Sequence, residues 1–260
     1  NALLDMYAKR GLLSDVAVVF KLLPYRDVIS WTALISGYAE HGHHEEALHC
    51  FEQMQLEGVS PNAVTFVCSL KACGIIGETR KGQELHVEIE GNGFLEKDVT
   101  AGNALVNMYC KHGLVEKAAK VFNRLSTRDV VSWTALIAGY AKDGLGKVSV
   151  KCFEEMQYEG IPPDATTFIC TLKACGNMGA IKQGMLVHSE IIETIHMDII
   201  MHGAITDMYA KCGRIENAQQ VFDELPYRNV VSWNVMLSLY VQQGEGEKAI
   251  KLYRQMEESG

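Results

Sequence analysis

The run Asn103-Ala104-Leu105-Val106-Asn107-Met108-Tyr109 has two variants in the same chain. Asn1-Ala2-Leu3-Leu4-Asp5-Met6-Tyr7 precedes it and Gly203-Ala204-Ile205-Thr206-Asp207-Met208-Tyr209 follows it, at offsets of 102 and 100 residues. Further out, Ser30-Trp31-Thr32-Ala33-Leu34-Ile35 returns as Ser132-Trp133-Thr134-Ala135-Leu136-Ile137 and as Ser232-Trp233-Asn234-Val235-Met236-Leu237. Leu70-Lys71-Ala72-Cys73-Gly74 returns as Leu172-Lys173-Ala174-Cys175-Gly176. A fixed period of this kind marks a repeat architecture. The period divides into units 1–27, 28–62, 63–98, 99–129, 130–164, 165–198, 199–229 and 230–260, the first and last clipped.

Each unit reads as a helical hairpin. In 28–62, Leu34, Ile35 and Tyr38 share one helix face, Gly42 interrupts it, and Ala47, Leu48, Phe51 and Met54 form a second stripe that Gly58 and Pro61 end. Unit 99–129 repeats the scheme with Leu105, Met108 and Tyr109, a break at Gly113, then Ala118, Val121, Phe122 and Leu125. No alternating strand pattern of useful length occurs, so the expected class is all-α. One hairpin of about 30–35 residues cannot bury both apolar faces, whereas stacked hairpins bury a continuous core. First helices then line one surface of a solenoid and second helices the other.

The 260 residues are 48% apolar and 22% charged, a composition of folded rather than disordered chains. No apolar run approaches the roughly 18 residues of a membrane-spanning helix. The formal charge is −8, which is not the basic footprint usual for nucleic-acid binders. The chain starts at Asn1 inside the repeating pattern, and so reads as a piece of a longer protein.

Val131-Ser132-Trp133-Thr134-Ala135-Leu136-Ile137-Ala138-Gly139-Tyr140, with Phe153-Glu154-Glu155-Met156 and Pro163-Asp164, resembles the standard pentatricopeptide repeat (PPR) motif. Leu70-Lys71-Ala72-Cys73 with Gly82 and His86 resembles its long variant. Asn103-Ala104-Leu105 with Met108-Tyr109, Val121-Phe122 and Arg128-Asp129 resembles its short variant. The order short, standard, long, short, standard, long, short, standard resembles the PLS class of plant PPR proteins. The resemblance implies a right-handed superhelical solenoid of helix-turn-helix repeats that binds single-stranded RNA at one base per repeat. It further implies the site-recognition part of a C-to-U RNA editing factor in the mitochondrion or plastid. Small multiple-site organellar editing factors would be partners held by the long units. No cofactor and no catalysis are implied for this stretch, since any deaminase domain would follow residue 260. The rival reading is a protein-interaction scaffold of the tetratricopeptide kind, toward which the acidic charge leans.

The family reads a base with the fifth and the last residue of a unit. A terminal Asp only accepts hydrogen bonds and suits the ring N–H of U or G; a terminal Asn also donates and can suit adenine. Carried over, Asn1 with Asp27 implies U, Thr32 with Asn62 implies A, Asn103 with Asp129 implies U, and Thr134 with Asp164 implies G. Gly203 brings no side chain to Asn229, and Asn234 has its partner beyond the chain. The long units carry Val67 with Asp98 and Ile169 with Asp198, whose aliphatic fifth residues cannot hydrogen-bond. The implied register, 5′ to 3′, is U-A-x-U-G-x-x-x. Second residues Ile29, Val131, Ile200 and Val231 are implied to sandwich bases, with Val64, Thr100 and Thr166 weaker candidates. Lys9, Lys111, Lys142 and Lys211, at thirteenth positions, are implied phosphate contacts in a row that Glu40 and Gln242 interrupt.

Other signals look chemical. His86-Val87-Glu88 and His188-Ser189-Glu190 spell half of a zinc deaminase signature, but the P-C-x-x-C half is absent. Cys68 with Cys73, and Cys170 with Cys175, lie about 140° apart on a helix and cannot chelate together. No metal site is expected. Trp31, Trp133 and Trp233 are expected in packing contacts rather than on a base.

Overall fold

The breaks fall at glycines. Gly42 (φ +86°) and Gly113 (φ +71°) occupy the left-handed region, which a side chain would strain. Behind them His43 N donates to Tyr38 O at 2.9 Å and Leu114 N to Tyr109 O at 2.9 Å, ending one helix and turning the chain back. The result, in a computed structural model that describes residues 1–194, 198–225 and 227–258, is a succession of α-helices with no strand among the described residues. The expected units 165–198, 199–229 and 230–260 run through residues 195–197, 226 and 259–260, which lie outside the described residues.

The helices group into two compact units, Asn1–Leu136 and Ile137–Gly260. The first holds α1 (Ala2–Lys9), α2 (Leu13–Leu22), α3 (Val28–Glu40), α4 (His44–Leu56), α5 (Ala63–Ile76), α6 (Thr79–Gly91), α7 (Phe94–Lys97), α8 (Val99–Lys111), α9 (Val115–Arg124) and the start of α10 (Val130–Lys142). Helices pair as hairpins, and the first helix of one packs on the first helix of the next: α1 on α3, α3 on α5, α5 on α8. Aromatic pairs join the hairpins, Phe20 edge-on to Trp31 at 4.6 Å, Phe51 against Phe66 at 5.7 Å and Phe122 edge-on to Trp133 at 4.6 Å. Burying one such ring stabilises by roughly 1.5–3 kcal/mol.

The long unit departs from a plain hairpin. Gly93 ends α6 at φ +68°, and the four-residue helix α7 follows, with Phe94 against Phe66 at 5.4 Å and Leu95 buried. The hairpin pattern does not include this helix; it absorbs the extra residues of 63–98. In 99–129, α9 stops at Arg124, so Leu125 belongs to the apolar stripe but is extended and still buried.

The second unit completes α10 and adds α11 (Gly146–Tyr158), α12 (Ala165–Met178), α13 (Ile181–Thr194), α14 (Ile199–Lys211), α15 (Ile215–Asp223), α16 (Val230–Gln242) and α17 (Gly246–Glu258). Its packing repeats the first: α12 on α14, α14 on α16, Phe153 against Phe168 at 5.8 Å and Phe222 edge-on to Trp233 at 5.1 Å. Two glycines explain the long-unit motif. A Cβ on Gly82 would lie 2.8 Å from Met108 Sδ, and one on Gly184 would lie 2.4 Å from Met208 Sδ. These glycines make room for the methionine of the following first helix. No described helix is long and apolar enough to cross a membrane.

Candidate functional site

Every inter-unit boundary in the sequence carries Asp or Asn, and the structure gives that residue a structural task. Its side chain caps the next first helix. Asp27 accepts from Ser30 N at 2.8 Å, Asn62 from Thr65 N at 2.9 Å, Asp98 from Thr100 N at 2.8 Å and Asp129 from Ser132 N at 2.8 Å. Asp164, Asp198 and Asn229 do the same for Thr167, Met201 and Ser232, each at 2.8 Å. Such caps satisfy an orphan N–H and are worth about 1 kcal/mol. The sequence signal is Asp or Asn three residues before Ser or Thr at five boundaries; Asp98 has Thr100 two residues on, and Asp198 has Met201 three residues on. Capping uses one oxygen, so a boundary residue has further capacity to bind something else.

That capacity is used. Asn103 Nδ2 donates to Asp129 Oδ1 and Oδ2, both at 3.0 Å. Asn1 Nδ2 reaches Asp27 Oδ1 at 3.3 Å and Oδ2 at 3.1 Å. Asn62 Nδ2 donates to Thr32 Oγ1 at 3.1 Å, and Thr32 in turn donates to Val28 O at 2.5 Å. Three of the expected pairs therefore meet side chain to side chain. The Ser30 N–H first, and the Asn1 amide after it, hold the Asp27 carboxyl below its ordinary range. Gly203 contributes nothing to Asn229, which is left as a cap. Thr134 is half-buried in the first unit, and Asp164 caps α12 in the second. Asn234 is exposed.

Counting donors and acceptors shows what each pair still offers. Asp129 Oδ1 takes the Ser132 and Asn103 N–H groups, and Oδ2 takes one from Asn103, which leaves acceptor capacity and no donor. Asn62 gives one N–H to Thr32 and accepts one from Thr65, which leaves one N–H and one lone pair. Asn103 is only 7% exposed, and its Oδ1 is buried with no hydrogen-bond partner. An unpaired buried acceptor costs about 1–3 kcal/mol, and in a native fold such a group asks for an explanation.

Asn103 and Asp129 line a cavity of about 340 Å³ between α5 and α8, within the size range of small-ligand pockets. Val67 and Leu70 form an apolar wall from the long unit, Val131 stands at the edge beside Asp129, and Lys71 and Lys111 line it as well. In the second unit a cavity of about 320 Å³ is lined by Lys211, Val231 and Asn234 together with Asp207. The aliphatic second residues are the reverse of core: Ile29 is 57% exposed, Val131 53%, Ile200 64% and Val231 65%. A recurring exposed aliphatic at one register position has no packing reason and suits a stacking partner.

The lysine row is not uniform. Lys9 is 2.8 Å from Asp5, and Lys211 is 2.8 Å from Asp207, each one turn back on its own helix. Both lysines are thus partly neutralised at home. Lys111 and Lys142 are exposed. Lys71 and Asn107, which the motif reading left aside, also line the first cavity; Asn107 stands where the sister helices carry Asp5 and Asp207.

The chemical-looking residues are structural. His86 Nδ1 bonds the Tyr109 hydroxyl at 2.8 Å and His188 Nδ1 the Tyr209 hydroxyl at 3.0 Å, tying each long unit to the next first helix. Burial holds both imidazoles below their ordinary pKa. His86 Nε2 lies 3.1 Å from Glu90 Oε1, out of line for a hydrogen bond. The three tryptophans are buried. The cysteines are free thiols, and burial pushes Cys73 up to about 12 and Cys50, Cys152 and Cys175 to about 11, the behaviour of small apolar side chains rather than nucleophiles. No cluster able to hold a metal ion occurs among the described residues.

Known proteins share this pattern. A PPR repeat family model matches residues 26–74, 128–177 and 228–260, and a PPR repeat model matches 103–130 and 200–230. A chloroplastic pentatricopeptide repeat-containing protein of Arabidopsis thaliana is 39% identical over 100% of the chain, which covers 42% of that protein. A mitochondrial one from the same plant is 38% identical over 100% of the chain and 41% of its own length. The chain thus spans about two fifths of these relatives. Among solved structures, the pentatricopeptide repeat protein PPR10 in complex with an 18-nucleotide psaJ RNA element superposes with a TM-score of 0.81 at 16% identity, over 98% of this chain and 39% of that one. At that identity the likeness is one of fold.

Proposed function

The chain belongs to the pentatricopeptide repeat family, and from that premise we propose that it binds single-stranded RNA and reads one base per hairpin through the fifth and last residues. The observation that carries this reading is the Asn103–Asp129 pair. It lines a cavity, holds an unpaired buried acceptor, and has an exposed aliphatic residue beside it. Asp129 retains only acceptor capacity, which matches the ring N–H of uracil and opposes the ring acceptor of cytosine. Asn62 retains a donor and an acceptor, which matches the two polar edges of adenine. The exposed aliphatics would stack on base faces without regard to sequence, adding affinity rather than choice. With a net charge of −8, phosphate neutralisation contributes less than in a basic binder, and modest affinity is expected.

The finer reading is a PLS-class module that recognises the site in an organellar C-to-U editing factor and performs no chemistry itself. The order of unit types supports it, as do the mitochondrial and chloroplastic relatives. The test is fluorescence anisotropy with a short RNA carrying U-A-x-U-G and single-base variants. Replacing the fourth base, U, by C is expected to weaken binding roughly tenfold, the worth of about one well-made hydrogen bond. Equal affinity for both RNAs and for a scrambled one would favour the protein-scaffold reading.

A further inference from the structure

The two long units carry an aliphatic residue at the reading position, Val67 and Ile169, and on the fifth-and-last scheme they read nothing. The cavity beside Asn103 gives the first of them another task. We propose that long unit 63–98 is half of its neighbour's nucleotide site: Val67, backed by the buried Leu70, forms the wall on which the base at Asn103–Asp129 rests, and Lys71 holds the phosphate of that same nucleotide. The inference rests on the RNA reading above and deepens it.

Five observations carry it. Val67, Leu70 and Lys71, all on α5, line the same cavity as Asn103, Asp129 and Lys111. Lys71 is exposed and has no carboxylate within ion-pair distance among the described residues, whereas Lys9 and Lys211 each hold one at 2.8 Å. Two lysines therefore line one cavity, and positive charge gathered at a shared site favours an anion there. The cavity's own carboxylate, Asp129, is already engaged by the Ser132 and Asn103 N–H groups. Close helix packing sets the arrangement: Gly74 lets α8 approach so near that a Cβ there would lie 3.2 Å from Lys111 Cδ, which lays the Lys111 stem along α5, one turn from Lys71. Finally, Asn103 Oδ1, an unpartnered acceptor on a side chain more than nine-tenths buried, marks the site as one with hydrogen-bonding capacity unused by the fold. An apolar wall, a polar reading pair and a cationic rim are the three surfaces a nucleotide presents in reverse.

The experiment uses the 260-residue chain, the U-A-x-U-G RNA and its fourth-base C variant, titrated over a range of NaCl concentrations. Lys71→Gln keeps the stem length and removes the charge at an exposed position, with circular dichroism to check the fold. It is expected to weaken both RNAs by the same several-fold factor. It should also reduce the slope of log affinity against log salt by about 0.7, the share of one phosphate on a single strand. Asn103→Ala, by contrast, should erase the preference for U and leave the slope unchanged. If Lys71→Gln alters neither affinity nor slope while Asn103→Ala still erases the preference, RNA reading stands and the role of Lys71 is overturned. A loss of affinity without a change of slope overturns it too, since Lys71 would then act by packing. If the wild-type chain shows no salt-dependent RNA binding, the underlying reading fails and takes this inference with it.

Discussion

Hairpins α8–α9 and α14–α15 are the same piece of scaffold with different chemistry. In both, a long-unit glycine receives the methionine, Gly82 for Met108 and Gly184 for Met208. In both, a long-unit histidine bonds the tyrosine, His86 to Tyr109 and His188 to Tyr209. In both, a phenylalanine meets the next tryptophan edge-on. Yet Asn103 becomes Gly203, Asp129 becomes Asn229, and Asn107 becomes Asp207, which ties up Lys211. Packing residues are shared because both hairpins must bury the same faces. The boundary residues are free to differ because their structural duty is to cap a helix, and Asn and Asp cap about equally well; the fifth position caps nothing, and α14 forms with Gly203 there.

The comparison can be broken in several ways, the largest effect coming from the shared frame. Phe122→Ala and Phe222→Ala each leave a cavity beside a buried tryptophan and should each cost about 3–5 kcal/mol in urea unfolding. A large inequality between the two would mean that the frames are not equivalent. Next comes the reading pair. Asn103→Gly converts the first site into the second, and its preference for U over C should fall by roughly tenfold in anisotropy titrations, about 1–2 kcal/mol. The reciprocal Gly203→Asn with Asn229→Asp should create a preference for U there; a Cβ at Gly203 meets no atom within 4 Å, so the helix accepts it. If the double variant binds all four bases equally, side-chain identity at these positions does not set the reading.

A smaller effect is expected at Asp207. Asp207→Asn copies Asn107, releases Lys211 and removes a negative charge beside the second cavity. Affinity for RNA should rise a few-fold at low salt, and the gain should shrink as salt screens it. The smallest is a pH effect on the frame. Burial lowers the pKa of His86 and His188 in the folded chain, so the unfolded chain takes up protons first as pH falls below about 6.5. Stability should decline on acidification below that point, and a His86→Gln, His188→Gln double variant should show a flatter urea midpoint between pH 6.5 and 5.

Much of this was readable before any coordinate. The 3.6-residue spacing of Leu105, Met108 and Tyr109, the glycine breaks and the recurrence of whole motifs specify hairpins and their stacking. The capping task of Asp27, Asn62 and Asp129 is legible in the sequence as well, from Ser30, Thr65 and Ser132 three residues on. Lys71 and Asn107 were invisible in the motif because their significance depends on which helix lies opposite. The absent P-C-x-x-C half argues against zinc at His86 from sequence alone, but its actual partner, the Tyr109 hydroxyl 2.8 Å from Nδ1, depends on how α6 packs on α8.

By itself the sequence determined the all-α hairpins and the Asp or Asn that caps each first helix, because apolar period, glycine conformation and capping preference act within about five residues of the chain. Only the tertiary structure decided that Asn103 joins Asp129 across 26 residues, that a long unit closes the cavity beside them, and that Lys211 but not Lys71 holds a carboxylate. Those outcomes depend on how closely one helix approaches the next, and that distance is set by the fit of Gly74 and Gly82 against Lys111 and Met108 rather than by any local preference.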